Sequence, residues 1–86
     1  MKSYAVIFTY SFDDEVPVYL FNTEEEAKNF LRESYEEEMR IDIEENRWDS
    51  EGTLSEDGWY AKIENYYGDE GSDPDVTELR IGNIYN

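Results

Sequence analysis

Between Thr23 and Asn46 the chain contains neither glycine nor proline, the two residues that most readily interrupt a helix. The stretch also opens on a start signal. Thr23 followed by Glu26 fits a capping box, in which hydroxyl and carboxylate each satisfy a backbone N–H left free by the first turn. Glu24, Glu25 and Glu26 place negative charge where the helix dipole favours it. Glu24–Lys28 and Glu36–Arg40 are spaced for i,i+4 ion pairs in the favourable order. At 100° per residue, Ala27, Phe30, Leu31, Ser34, Tyr35 and Ile41 share one face, as an amphipathic helix requires. Glu38 falls inside that stripe, while Met39 and Ile43 fall well outside it. The pattern predicts one helix from Thr23 to about Asn46. It either bends or rewinds near residue 38, or packs its last third on something else.

On both sides of this helix the chain reads as strand. Tyr4 to Tyr10 is β-branched and aromatic, with two largely apolar faces, as a central strand has. Asp13-Asp14 makes a turn, and Val16 to Phe21 returns. Pro17 cannot donate to a ladder, which places this second strand at an edge, or the proline at its unpaired side. Residues 47–58 form a connection, with Asp57-Gly58 as a turn dipeptide and Thr53-Leu54-Ser55 as a short hairpin arm ahead of it. Trp59 to Tyr67 alternates Trp59/Ala61/Ile63 against Tyr60/Lys62/Glu64/Tyr66. A polar loop, 68–75, leads to a last strand from Val76 to Ile81. Gly82-Asn83 reads as a bulge that returns Ile84 to the inner face. The expected fold class is α+β: ββαββ, a four-stranded antiparallel sheet with one helix packed on one face, in a single small acidic domain, 1–86.

Phe8, Leu31, Ile63 and Leu79 are expected inside. With one face under the helix, the other meets water or a partner, and the alternation assigns Ile7, Tyr19, Tyr60, Lys62, Glu64, Tyr66, Glu78 and Arg80 to it. Lys62–Glu78 and Glu64–Arg80 are then cross-strand ion pairs. The plain reading of this face is a solvated sheet with scattered tyrosines. The sharper one is a contact patch built on Tyr19, Tyr60 and Tyr66, since tyrosine is enriched at interfaces.

Composition narrows the chemistry. There are 23 acidic residues against 7 basic ones, no histidine and no cysteine, for a formal net charge of −16. A nucleophilic cysteine, a Cys/His zinc site and a histidine acid–base catalyst are all excluded. An aromatic content of 16% argues against an acidic disordered tail. Direct nucleic-acid binding is disfavoured, because affinity for phosphates rests on Lys and Arg, and these are scattered among acids. Loop 68–75 offers Asp69, Glu70, Asp73 and Asp75, oxygen ligands of the kind Ca²⁺ takes, but not at EF-hand spacing. No cofactor, metal site or catalytic residue is assigned. The absence of a signal-peptide pattern after Lys2 and of a long apolar run leads to an expected cytoplasmic location with no membrane partner.

What is left is a negative field that attracts cations or a basic protein surface, a nucleic-acid-binding protein among them. Glu33, Glu36 and Glu37 are the helix residues expected to present it, on an outward ridge about 33 Å long. A compact chain of this size is roughly 30 Å across, and a duplex of that length carries roughly 18 phosphate charges, close to the −16 here. The charge is spread evenly, −7 over residues 1–43 and −9 over residues 44–86.

Tyr4–Tyr10, the helix start Thr23-Glu24-Glu25-Glu26-Ala27, Tyr60-Ala61-Lys62-Ile63 and the closing Thr77-Glu78-Leu79-Arg80-Ile81-Gly82-Asn83-Ile84-Tyr85 together resemble the small acidic uncharacterised proteins of bacterial conjugative elements and phages. The likeness covers most of the chain, and its motifs are structural. It implies a context in which accessory proteins antagonise or regulate host DNA-acting machinery; no functional residue carries over. The expectation is a non-enzymatic acidic interaction protein, with a DNA-mimic inhibitor or mobile-element accessory factor as its finer form. The alternatives are an immunity- or antitoxin-like neutraliser of one partner and a Ca²⁺-binding module.

Overall fold

A computed structural model describes residues 2–66 and 73–84. The elements in chain order are β1 (Tyr4–Tyr10), β2 (Val18–Phe21), α1 (Glu24–Arg40) continued by a π-helical turn (Ile41–Glu45), β3 (Asp49–Leu54), β4 (Tyr60–Tyr66) and β5 (Asp75–Asn83). The strands form one antiparallel sheet in the order β2-β1-β5-β4-β3. The class is α+β with one helix, and the sheet has five strands where four were expected. The fifth is β3, which lies inside the segment read as a connection. Its sequence, DSEGTL, has no apolar alternation, and it becomes a strand by pairing with β4 along its whole length.

One face of the sheet receives α1. Val6, Phe8, Ala61, Leu79 and Ile81 pack against Ala27 and Leu31, with Tyr4, Tyr10, Phe21, Phe30, Tyr35 and Trp59 around them. Leu31 and Leu79 are fully buried and Ile63 nearly so, as the alternation predicts. Thr23 caps the helix: its Oγ1 accepts from the Glu26 N–H at 3.2 Å. The Glu26 carboxylate accepts the Thr23 hydroxyl proton at 3.0 Å, so the reciprocal half of the box goes to the side chain. Trp59 ties the same end to β4 through Nε1–H donated to Glu24 at 2.8 Å, and Lys28 pairs with that carboxylate at 3.3 Å.

The far end of the helix does both things the sequence left open. It rewinds, with the Asn46 N–H reaching the Ile41 carbonyl five residues back at 2.9 Å, the π register. Its last third also lies on β3: a Cβ built on Gly52 would meet the Tyr35 hydroxyl and, at 2.9 Å, Met39 Sδ. Glycine leaves room for these two helix side chains where they lie, and a Cβ would force them to shift. The reversal after the π turn is closed by Trp48 N–H to the Asp42 carbonyl at 2.8 Å, with Arg47 in left-handed conformation (φ 57°).

Three further expectations are corrected. β5 keeps one unbroken register against β1 through Ala5↔Gly82 and Tyr4↔Asn83, so Gly82-Asn83 is not a bulge and Ile84 is not returned to the inner face. Arg40 pairs with Glu37 at 2.7 Å rather than with Glu36, because Glu36 is engaged by Arg32 at 3.7 Å. On the open face the ion pairs run along strands instead of across them: Arg80–Glu78 at 2.8 Å and Lys62–Glu64 at 3.7 Å. The i,i+2 neighbours share a face and are reached without crossing the ladder. Tyr60 then donates its hydroxyl to Glu78 at 2.8 Å.

Candidate functional site

The six residues expected to contact a partner divide among three surfaces. Tyr60 and Tyr66 lie on the open face, where their hydroxyls are already donated to Glu78 (2.8 Å) and Glu64 (3.1 Å). Burial and then the Glu78 bond push the Tyr60 phenol up, and the Glu64 bond and then burial do the same for Tyr66. Arg80 stands over the Tyr60 ring, 6.0 Å from its centroid. This face is therefore knitted into itself. Glu36 projects to another side of the helix with Arg32.

Glu33, Glu37 and Tyr19 come together. They line a groove of about 340 Å³ between α1 and the edge strand β2, with Phe8, Phe30, Ser34 and Glu38 as the remaining walls. Tyr19 was expected on the open face and is instead on the helix side, opposite Val6 in the ladder. Val18-Tyr19-Leu20-Phe21 is apolar at every position, so alternation has no polarity to read. The aromatic residues of the helix decide it: Phe30 takes Tyr19 at 4.9 Å and Phe21 at 5.0 Å between ring centroids. Phe8 meets Tyr19 at 5.6 Å, ring edge to ring face. Aromatic pairs of this kind hold beyond their buried area.

The floor of the groove is aromatic and its rim is acidic. Among the described residues, neither Glu33 nor Glu38 has a basic partner within ion-pair distance. Glu37 is held by Arg40 at 2.7 Å, which keeps its carboxyl below the usual range. Glu38 counts as exposed along its length, yet its carboxyl is tucked against the protein. Partial burial, then Asp42, then Glu37 push its pKa up. Burial, followed by the charge of Glu38, does the same to the Tyr10 hydroxyl, which lies outside the groove lining. Glu33, Glu37 and Tyr19 were expected from sequence as contact residues, though on different faces; Glu38 read only as a carboxylate inside an apolar stripe, and Phe8 and Phe30 only as apolar packing residues.

A larger cavity, about 490 Å³, lies between the start of α1 and the β3–β4 turn and includes Glu24, Lys28, Arg32 and Asp57. Its charges are of both signs, with Lys28 paired to Glu24 at 3.3 Å and Arg32 to Glu36 outside the lining at 3.7 Å. Asp57 accepts from Ser55 Oγ at 2.7 Å and from the Trp59 N–H at 3.0 Å. The Tyr19 groove has three carboxylates and no basic residue in its lining. No grouping of three or more potential metal ligands occurs among the described residues. Most of loop 68–75 lies outside them, as does Tyr67. No helix among the described residues is long and apolar enough to cross a membrane. Comparison with protein-family models, with curated proteins and with solved structures gives no match.

Proposed function

We propose that this is a non-enzymatic acidic interaction protein that binds a basic surface of a partner protein in the cytoplasm. The observation that carries the reading is the groove between β2 and α1, with an aromatic floor and three carboxylates at its rim, of which Glu37 is held by Arg40 while Glu33 and Glu38 have no basic partner among the described residues, on a chain of net charge −16. Such a groove suits a guanidinium or ammonium group: its flat or aliphatic part lies on the rings and its charge meets the glutamates. Among the described residues five of the seven basic side chains are paired internally: Arg40 with the rim residue Glu37, and the others with Glu24, Glu36, Glu64 and Glu78, none of which lines the groove.

Within this reading a DNA-mimic inhibitor of a mobile-element system is the more demanding form. The Cα atoms extend over 46 × 23 × 21 Å, longer than the roughly 30 Å expected. A duplex 46 Å long carries about 27 phosphates against a net −16 here. We therefore propose a basic segment or patch as the partner rather than a complete DNA-binding cleft. Anisotropy of a labelled oligo-arginine peptide tests it. Paired Glu33→Lys and Glu37→Lys should weaken binding well beyond paired Glu51→Lys and Glu56→Lys, which change the charge equally away from the groove. Equal weakening by both pairs would reduce the groove to a share of the general field, and no binding at low salt would defeat the reading.

A further inference from the structure

β2 leaves one side of its backbone open. Among the described residues it is the outermost strand and pairs only with β1. The Pro17 carbonyl accepts from the Phe8 N–H at 3.0 Å, so Pro17, Tyr19 and Phe21 turn their main-chain groups toward β1. By the alternation of antiparallel strands, Val18 and Leu20 turn their N–H and C=O groups away from the sheet. The proline thus costs a bond on the inner side and leaves the outer edge free to pair, the opposite of an edge blocked by proline.

The side chains along this edge are of two kinds. On the helix side Tyr19 opens into the groove of Glu33, Glu37 and Glu38. On the other side Val18 and Leu20 are 51% and 49% exposed, beside their ladder partners Ile7 and Ala5. Any strand laid against β2 has its own side chains alternating between these same two sides. Every second one enters the acidic, aromatic groove, and those between lie on the apolar strip.

We infer that β2 is a strand-addition site for an extended segment of a partner protein in which Lys or Arg alternates with apolar residues, entering antiparallel to β2. This rests on the acidic-interaction reading above and adds to it the mode and the sequence pattern of the ligand. Charge decides between occupants. A second copy would bring Val-Tyr-Leu-Phe, which has no cation for the groove, together with another net −16. A segment carrying a cation at every second position fits both sides at once.

Four peptides test this: Arg-Val-Arg-Val-Arg-Val, the same residues in blocks, Arg-Arg-Arg-Val-Val-Val, and the alternating peptide N-methylated either at its valines or at its arginines. Affinity is read by titration calorimetry, and the site by amide exchange in the full chain. The alternating peptide should bind about tenfold more tightly than the blocked one and slow exchange at the Val18 and Leu20 N–H groups. Valines opposite Val18 and Leu20 would form the hydrogen-bonded pairs. N-methylation at the valines should therefore cost about tenfold, as for one or two lost backbone hydrogen bonds, and N-methylation at the arginines should cost little. If both peptide orders bind alike and the two amides are unaffected, strand addition is wrong while the acidic-interaction reading stands. Absence of binding by any of these peptides at 0.05 M salt defeats both. Dimerisation of the free chain with protection of the same amides would replace the partner strand by a second copy and overturn the inference.

Discussion

Glu38 is held in its place against its own ionisation. Its pKa is raised by burial and by the charges of Asp42 and Glu37, so the folded chain binds its proton more readily than the unfolded chain does. The sign follows: stability contributed by protonating Glu38 is fully present below the unfolded value of 4.5 and is lost as pH rises through the higher folded value. Glu37 and Asp57 work in the other direction, with folded values lowered by the Arg40 bond and by the Ser55 and Trp59 bonds. Their contribution is present above the unfolded values and lost as pH falls through the folded ones. Urea midpoints measured across pH should rise from pH 7 toward about pH 5 and then fall. Glu38→Gln should raise the midpoint at pH 7 and leave it unchanged near pH 4. Arg47 offers a second test. A left-handed backbone costs an ordinary residue about 1–2 kcal/mol, so Arg47→Gly, despite glycine's added chain entropy, should stabilise by a few tenths to about 1 kcal/mol. Thermal melts check it.

The elements differ in how openly the sequence declares them. The helix is legible because Thr23, the first-turn glutamates and the Ala27–Leu31 stripe all point one way. Even its rewinding is foreshadowed by Met39 lying off the stripe, since the π turn and the seat on Gly52 are two sides of one accommodation. β4 declares its facing through alternation, and β1 declares itself a strand through its β-branched and aromatic run; β2 and β3 do neither as plainly. β2 is apolar at each of its four positions, so its facing depends on Phe30 in the helix that follows. β3 has four polar side chains, a glycine and a single leucine in its six positions, so its existence depends on β4. The groove inherits this: its helix wall was readable and its strand wall was not. Two substitutions probe these contacts. Gly52→Ala should cost about 1–3 kcal/mol as Tyr35 and Met39 are displaced. Leu31→Ala, at the centre of the α1–sheet contact, should cost about 2–5 kcal/mol. An unchanged urea midpoint for Gly52→Ala would show that the helix end can lift from β3 freely.

For the molecule as a whole, charge works against compaction. A net −16 repels itself, and exposed charges are screened within about 10 Å at 0.1 M salt. The melting temperature should climb steadily between 0.02 and 0.5 M NaCl, while affinity for a basic peptide falls over the same range. A flat melting temperature would mean that the ion pairs of Lys28, Arg32, Arg40, Lys62 and Arg80 already offset the repulsion. A sulfate series at matched ionic strength separates screening from general salting-out.

The strand order carries a consequence in time. β5 is the last strand along the chain and the middle one in the sheet, between β1 and β4. Until it arrives, the β1–β2 and β3–β4 hairpins have no ladder joining them, and Val6 and Phe8 lack the Ile81 and Leu79 partners they face. The joining step closes a loop of about 70 residues, and folds governed by such distant pairings form in milliseconds to seconds. During synthesis at about 5–20 residues per second, the first hairpin waits several seconds for its neighbour. Nascent chains halted before Asp75 should therefore be cut readily by protease within β1, and chains extended past Asn83 should resist. Throughout that wait the growing chain is already strongly acidic, which keeps unfinished copies from adhering to one another at the edges β5 will later cover.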